Sequence, residues 1–201
     1  MRRLELTVFG GLVAFIGLVA LQHPLRGDLP PADHFISEYA HGSTAALQIA
    51  AFVAWAISLA ASALLARHAG PPGGRGLARA LAIGGLAVAA AGIVVASVFA
   101  TQTVAGVLPE GVARTTGGRL HDFGTLATLV GLLLAAAASL RLVARRGFRV
   151  TVGLLAASLL LIVPVLVALG IDAPGIGQRG FLLVGCAFQW RFAREIARRS
   201  G

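Results

Sequence analysis

The charged residues of this chain fall in short clumps, and between them run six stretches built almost entirely of Ala, Leu, Val, Ile and Gly. The stretches cover residues 6–21, 44–66, 77–100, 120–143, 150–170 and 180–197. A helix of about 20 apolar residues crosses the hydrocarbon core of a bilayer. Inside lipid a backbone must satisfy its own hydrogen bonds, which a helix does and a lone strand does not. The expected fold class is therefore an all-α membrane protein, a six-transmembrane helix bundle forming one domain over residues 1–201. The last stretch is the least apolar, because Gln189 and Arg191 interrupt it. A long Arg side chain can reach the interface from near a helix end, so it still counts as a span.

A net charge of +9 would suit a nucleic-acid partner if it were spread over one surface, but its placement argues against one. Most of the basic groups, 13 of 17, are Arg2 and Arg3, then Arg67, Arg75 and Arg79, then Arg141, Arg145, Arg146 and Arg149, then Arg191, Arg194, Arg198 and Arg199. They occupy the two ends and alternate connections. The other connections carry Asp28, Asp33, Glu38, Glu110 and Asp172. By the positive-inside rule both termini are expected in the cytoplasm and connections one, three and five outside. The expected partners are membrane lipids, with a protein partner or a second copy also open, and no nucleic acid. The segment VALQHP after the first stretch lacks a small-residue cleavage pattern, so that stretch is expected to be retained as a span. Cys186 stands alone, which leaves no disulfide or cysteine-based metal site within the chain.

The inner connections HAGPPGGRG and ARRGFR are short and rich in turn residues, predicting antiparallel hairpins. Small residues recur at Gly85/Ala89 and Gly92/Ala96, and Gly124 and Gly131 share a face of the fourth span. Small residues let membrane helices approach closely.

The chemistry concentrates in three outer motifs. DHFISEYAHG, residues 33–42, follows Pro30 and Pro31 and predicts a short amphipathic helix over 32–41 lying at the interface. On a helix His34, Ser37, Glu38 and His41 share one face, with Phe35, Ile36 and Tyr39 opposite. His34, His41 and His121 are candidate metal ligands, and a divalent metal is a cofactor that this set would accommodate. GGRLHDFGT places Arg119, His121 and Asp122 at the start of the fourth span, with Asp122 expected in the first helical turn. GIGQRG, residues 175–180, matches a dinucleotide-binding spacing but lacks the strand context, so it reads as a tight turn with Gln178 and Arg179 at the mouth of the last span. A fourth feature is a polar stripe on the second span: Thr44, Gln48, Trp55, Ser58 and Ser62. It is expected to face inward, as interhelical hydrogen bonding or as a cavity lining. The histidines lie at span ends, which does not suit a haem held between helices.

The segments FISEYAHG, GRLHDFGTLA and GIGQRGF, in this order and spacing, resemble the prokaryotic six-span integral membrane family catalogued as domain of unknown function 998. The resemblance runs over nearly the whole chain and implies location in a prokaryotic inner (plasma) membrane. Members of that family typically carry F-P-T-D after the third span; this chain has FATQT, with Gln102 where the acid would stand. The resemblance brings no activity with it.

Three motifs from three outer connections predict one polar cluster of Glu38, His41, Arg119, His121, Asp122, Gln178 and Arg179. One reading is a binding or scaffold role, in which the cluster locks the loops or grips a lipid head group or a partner, with Arg119, Gln178, Arg179 and Gln48 as ligand contacts. The other is a membrane-embedded enzyme acting on a lipid or isoprenoid-like substrate, with Glu38, His41, His121 and Asp122 as acid/base groups or with metal assistance. A transporter ranks third, because no charge lies mid-span.

Overall fold

The computed structural model describes residues 1–68, 76–168 and 173–199. Six α-helices follow one another: α1 (Arg2–Leu25), α2 (Ala45–His68), α3 (Gly76–Val98), α4 (Thr116–Leu142), α5 (Arg146–Ala168) and α6 (Pro174–Ala197). No strand is present among the described residues; an isolated antiparallel bridge pairs Val104 with Val107. Among the described residues, four of the helices, α1 to α4, are long and apolar enough to cross a membrane. The chain is thus a multi-pass membrane protein. The Gly/Pro turn expected over HAGPPGGRG and the position of Asp172 lie outside the described residues.

α3 packs most closely on α4, α1 on α2, and α2 on α3, while α6 takes α5 on one side and reaches α1 and α2 on the other. The tightest seam is between α3 and α4, and glycine makes it. A Cβ on Gly85 would stand 2.5 Å from the Gly131 carbonyl oxygen, and one on Gly92 would stand 2.5 Å from that of Gly124. The reciprocal distances at Gly131 and Gly124 are 2.5 and 2.6 Å. The two backbones therefore touch directly, the close approach that drives helix association where no water is available to be expelled.

One group of polar side chains inside the bundle is paired across helices. Gln189 of α6 accepts a hydrogen bond from Trp55 Nε1 at 3.2 Å and donates to Ser58 Oγ at 2.6 Å and Ser62 Oγ at 3.2 Å. Ser58 donates onward to the Val8 carbonyl of α1 at 2.8 Å. The stripe on α2 does face inward: Thr44, Gln48, Trp55, Ser58 and Ser62 are all buried. Its lower half ties α2 to α1 and α6.

Two local expectations are corrected. No α-helix runs over 32–41; two short 3-10 helices, Ile36–Ala40 and Gly42–Thr44, stand there instead. The backbone groups that a helix would use are bound from outside: Gln178 Oε1 accepts the Ile36 N–H at 2.7 Å, and Arg179 Nη1 donates to the Pro31 and His34 carbonyls, each at 2.7 Å. Nor is one face open to solvent, since Ile36, Ser37, Glu38 and Tyr39 are all buried. The GIGQRG segment is not a turn, because α6 begins at Pro174 and runs through it. Proline suits that first position. Gly175 lets the carbonyls of Pro31, Ala32 and His34 press onto the helix, where a Cβ would collide with all three.

Candidate functional site

The polar residues at this end of the bundle form two layers. The upper layer pins the 33–44 segment. Residues 104–107 make a tight two-residue hairpin, with Val104 and Val107 exchanging backbone hydrogen bonds at 2.9 and 3.0 Å. Its central residues, Ala105 and Gly106, both have positive φ, 50° and 79°, as such hairpin turns require. Their two N–H groups point the same way and form an anion-binding concavity. Glu38 fills it: Oε2 accepts the Ala105 N–H at 2.9 Å and Oε1 accepts the Gly106 N–H at 3.0 Å. His34 Nδ1 completes the shell, 2.5 Å from Oε2. The Glu38 side chain is 4% exposed, so three partners hold a carboxylate that water scarcely reaches.

Around this latch the rest of the segment is tied down. His41 Nε2 donates to the Thr101 carbonyl at 2.7 Å. Arg26 donates to the His41 carbonyl and reaches Thr44 Oγ1 at 3.3 Å, while Asp28 accepts from its Nε and Nη2. The hydrogen bond that Arg26 donates to Asp28 raises the Arg26 pKa above its ordinary value, and the same bond holds the Asp28 carboxyl below its own. Tyr39 donates to the Leu29 carbonyl at 2.8 Å and accepts from Arg179 Nη2 at 3.2 Å. Arg179 also lies over the Tyr39 ring, at 5.7 Å, and donates through Nε to His23 Nε2 at 3.3 Å.

Beneath this layer lies a cavity of about 630 Å³, within the range of small-molecule sites. Its polar lining at the upper end includes Thr101, Arg114, His121, Asp122 and Gln178. Arg114 and Asp122 form an ion pair there, each side chain 41% exposed. His121 is buried, and its Nδ1 donates to the carbonyls of Phe99 at 2.7 Å and Ala96 at 3.0 Å, closing the end of α3. Nε2, the acceptor nitrogen of the Nδ1–H tautomer, has no hydrogen-bond partner among the described residues. Deeper, the wall is apolar: Phe52, Trp55, Ile93, Leu126, Leu129 and Leu182. The deep polar groups are spent locally, Thr128 on the Gly124 carbonyl at 2.8 Å and Ser158 on the Leu155 carbonyl at 2.9 Å. From Asp122 to Leu129 the lining of α4 descends about 10 Å, at about 1.5 Å per residue.

The expected single cluster is thus divided. His121, Asp122 and Gln178 line the cavity, whereas Glu38, His41 and Arg179 belong to the latch above it. Gln48 is fully buried between helices, where its Oε1 accepts from Gln22 Nε2 at 2.9 Å. Arg119 is exposed and has no polar partner among the described residues. Asp122 sits in the second turn of α4, not the first, because Thr115 caps the helix by accepting the Gly118 N–H at 3.1 Å. Its partner is Arg114 rather than the helix terminus. His34, His41 and His121 do not converge; each is engaged with a different group, and no set of three His, Cys, Asp or Glu among the described residues is placed to hold a metal.

Arg114 and Thr101 were not singled out by their sequence. Arg114 stands alone in a Gly- and Thr-rich connection, with no periodicity to mark it. Gln102, where an acid was expected, accepts the Thr115 N–H through Oε1 at 2.8 Å. An amide oxygen makes there a bond that a carboxylate oxygen would also make.

Residues 8–193 match the family described as Protein of unknown function (DUF998). The chain belongs to the DUF998 family. The match takes in every latch and cavity residue named above. No curated protein and no solved structure matches this DUF998 chain.

Proposed function

We propose that this DUF998 protein binds one amphiphilic lipid in the cavity beneath the latch. The observation that carries this reading is the grading of the cavity wall, from Arg114, Asp122 and His121 at the upper end to Phe52, Trp55, Leu126 and Leu129 below. A polar head would meet the first group and a hydrocarbon tail the second. Burying a tail of several methylenes contributes about 0.8 kcal/mol each relative to water. Leu126 of the cavity wall is 58% exposed, so a lipid has a way in from the bilayer past α4. The latch holds the roof in place whether or not the cavity is filled. All six helices span the plasma (inner) membrane of a prokaryotic cell with both termini cytoplasmic, as the distribution of arginine supports, and the latch faces outward.

An enzymatic variant of the same reading has one observation in its favour. The unpartnered Nε2 of His121, on the neutral ring, would serve as a general base in the cavity that the Arg114–Asp122 pair also lines, where a lipid ester or phosphate would sit.

The reading is tested by native mass spectrometry of the purified full chain, released from detergent. Wild type is expected to retain one lipid per chain, and Thr125→Trp, which fills the cavity from α4, to lose it at an unchanged melting temperature. A chain that carries no lipid, or a Thr125→Trp protein that carries as much as wild type, would overturn it.

A further inference from the structure

At the opposite end of the bundle, α5 begins and α6 ends, and a second hollow of about 320 Å³ opens between them. Its lining holds four guanidinium groups, Arg145, Arg191, Arg194 and Arg198, against a single carboxylate, Glu195. The four are not equivalent. Arg191 is committed to the fold, donating to the Gly147 carbonyl at 2.6 Å and Thr151 Oγ1 at 2.9 Å. Arg145 and Arg198 share Glu195, at 3.3 and 3.5 Å. The Arg194 side chain has no hydrogen bond or ion pair among the described residues; its guanidinium lies over the Trp190 ring, 5.2 Å from the centroid.

One carboxylate cannot offset four guanidinium groups in a concave site. What the hollow lacks is an anion with several acceptor oxygens, the ligand that the fork of Arg matches best. Trp190 bears on which anion. It is 39% exposed on the rim beside Arg194, and exposed Trp next to Arg is the pairing found at the level of lipid head groups.

We propose that this hollow binds the phosphodiester head group of an anionic phospholipid, with Arg194 and Arg198 donating to the phosphate and Trp190 lying against the glycerol region. Arg194 rests on the ring with its side-chain N–H groups uncommitted. The site is separate from the cavity at the other end and stands or falls independently of it.

The experiment is thermal unfolding of the full chain in neutral detergent, with phosphatidylglycerol, phosphatidylcholine or inorganic phosphate added. Phosphatidylglycerol is expected to raise the midpoint in a saturable way, and the other two are expected not to. Arg194→Gln is expected to keep the lipid-free midpoint and to weaken phosphatidylglycerol binding about tenfold or more, as the loss of one charge-assisted hydrogen bond would. If Arg194→Gln lowers the lipid-free midpoint, counting bound phosphatidylglycerol by native mass spectrometry in that variant and in Trp190→Leu decides instead, with a loss expected in both. Equal shifts with phosphatidylglycerol and phosphatidylcholine, or undiminished binding in the variants, would overturn the proposal. A shift with inorganic phosphate as large as that with phosphatidylglycerol would assign the hollow to free phosphate and overturn the lipid assignment.

Discussion

Glu38 and Gly106 are 68 residues apart, yet the Gly106 N–H meets Glu38 Oε1 at 3.0 Å. This bond, with its neighbour from Ala105, joins the connection before α2 to the connection after α3. Removing the carboxylate would leave two hairpin N–H groups and the His34 ring without their acceptor. Glu38→Ala is expected to destabilise the protein by about 1–3 kcal/mol, the cost of leaving buried donors unpaired. Glu38→Gln, which keeps an acceptor oxygen, is expected to lose less. Chemical unfolding in detergent measures both. Equal stability of Glu38→Ala and wild type would remove the latch from the account.

The α3–α4 seam makes a position-specific prediction. Gly85→Val would force apart two backbones in contact and is expected to destabilise by about 1–3 kcal/mol, as overpacking does. Gly84 is the control one residue away: a Cβ there meets nothing within 4 Å. Gly84→Ala is expected to leave the thermal midpoint unchanged or slightly raised, since alanine is the better helix former.

Gln189 is the hub of the buried hydrogen bonds between α2 and α6. Gln189→Leu is expected to destabilise by about 1–2 kcal/mol, because Trp55 Nε1 loses its acceptor as Ser58 and Ser62 lose their donor. A double-mutant cycle with Trp55→Phe isolates the pair, and a coupling of about 0.6 kcal/mol would be ordinary for a membrane helix pair. Zero coupling would mean that the Trp55–Gln189 bond contributes nothing.

Alkaline pH tests the burial of Tyr39. Burial raises its phenol above the ordinary value of 10.0, outweighing the opposing effect of Arg179. A raised folded-state pKa stabilises fully below the unfolded value and is lost as pH rises through the folded one. Wild type is therefore expected to lose stability as pH climbs past 10.0. Tyr39→Phe, which cannot ionise, is expected to flatten that limb in a pH series of thermal midpoints. A limb of unchanged slope in the variant would contradict the assignment.

How much of this was legible beforehand differs by level. The helices were, because apolar runs of bilayer length report on solvent, and lipid imposes one answer on a backbone wherever it runs. The inward face of Ser58 and Ser62 and the close glycine pairs were legible for the same reason, since helical periodicity fixes which residues share a side. The 33–42 segment was not. Its spacing suits a helix, but helix formation there competes with Gln178 and Arg179, which are more than 130 residues further along and bind the same backbone groups. The start of α6 was missed because Gly175 and Gly177 look like a turn until the carbonyls of Pro31, Ala32 and His34 are seen packed against Gly175.

The sequence by itself determined that this chain is helical and membrane-bound, and which residue types gather between the spans. Only the tertiary structure decided how those residues divide. Glu38 and His41 became a latch and His121 and Asp122 became the head of a cavity because partners came from other connections: the N–H groups of Ala105 and Gly106, the carbonyls of Ala96, Phe99 and Thr101, and the Arg114 side chain. Most of those partners are backbone groups, which every residue carries, so no pattern of side chains could have announced them.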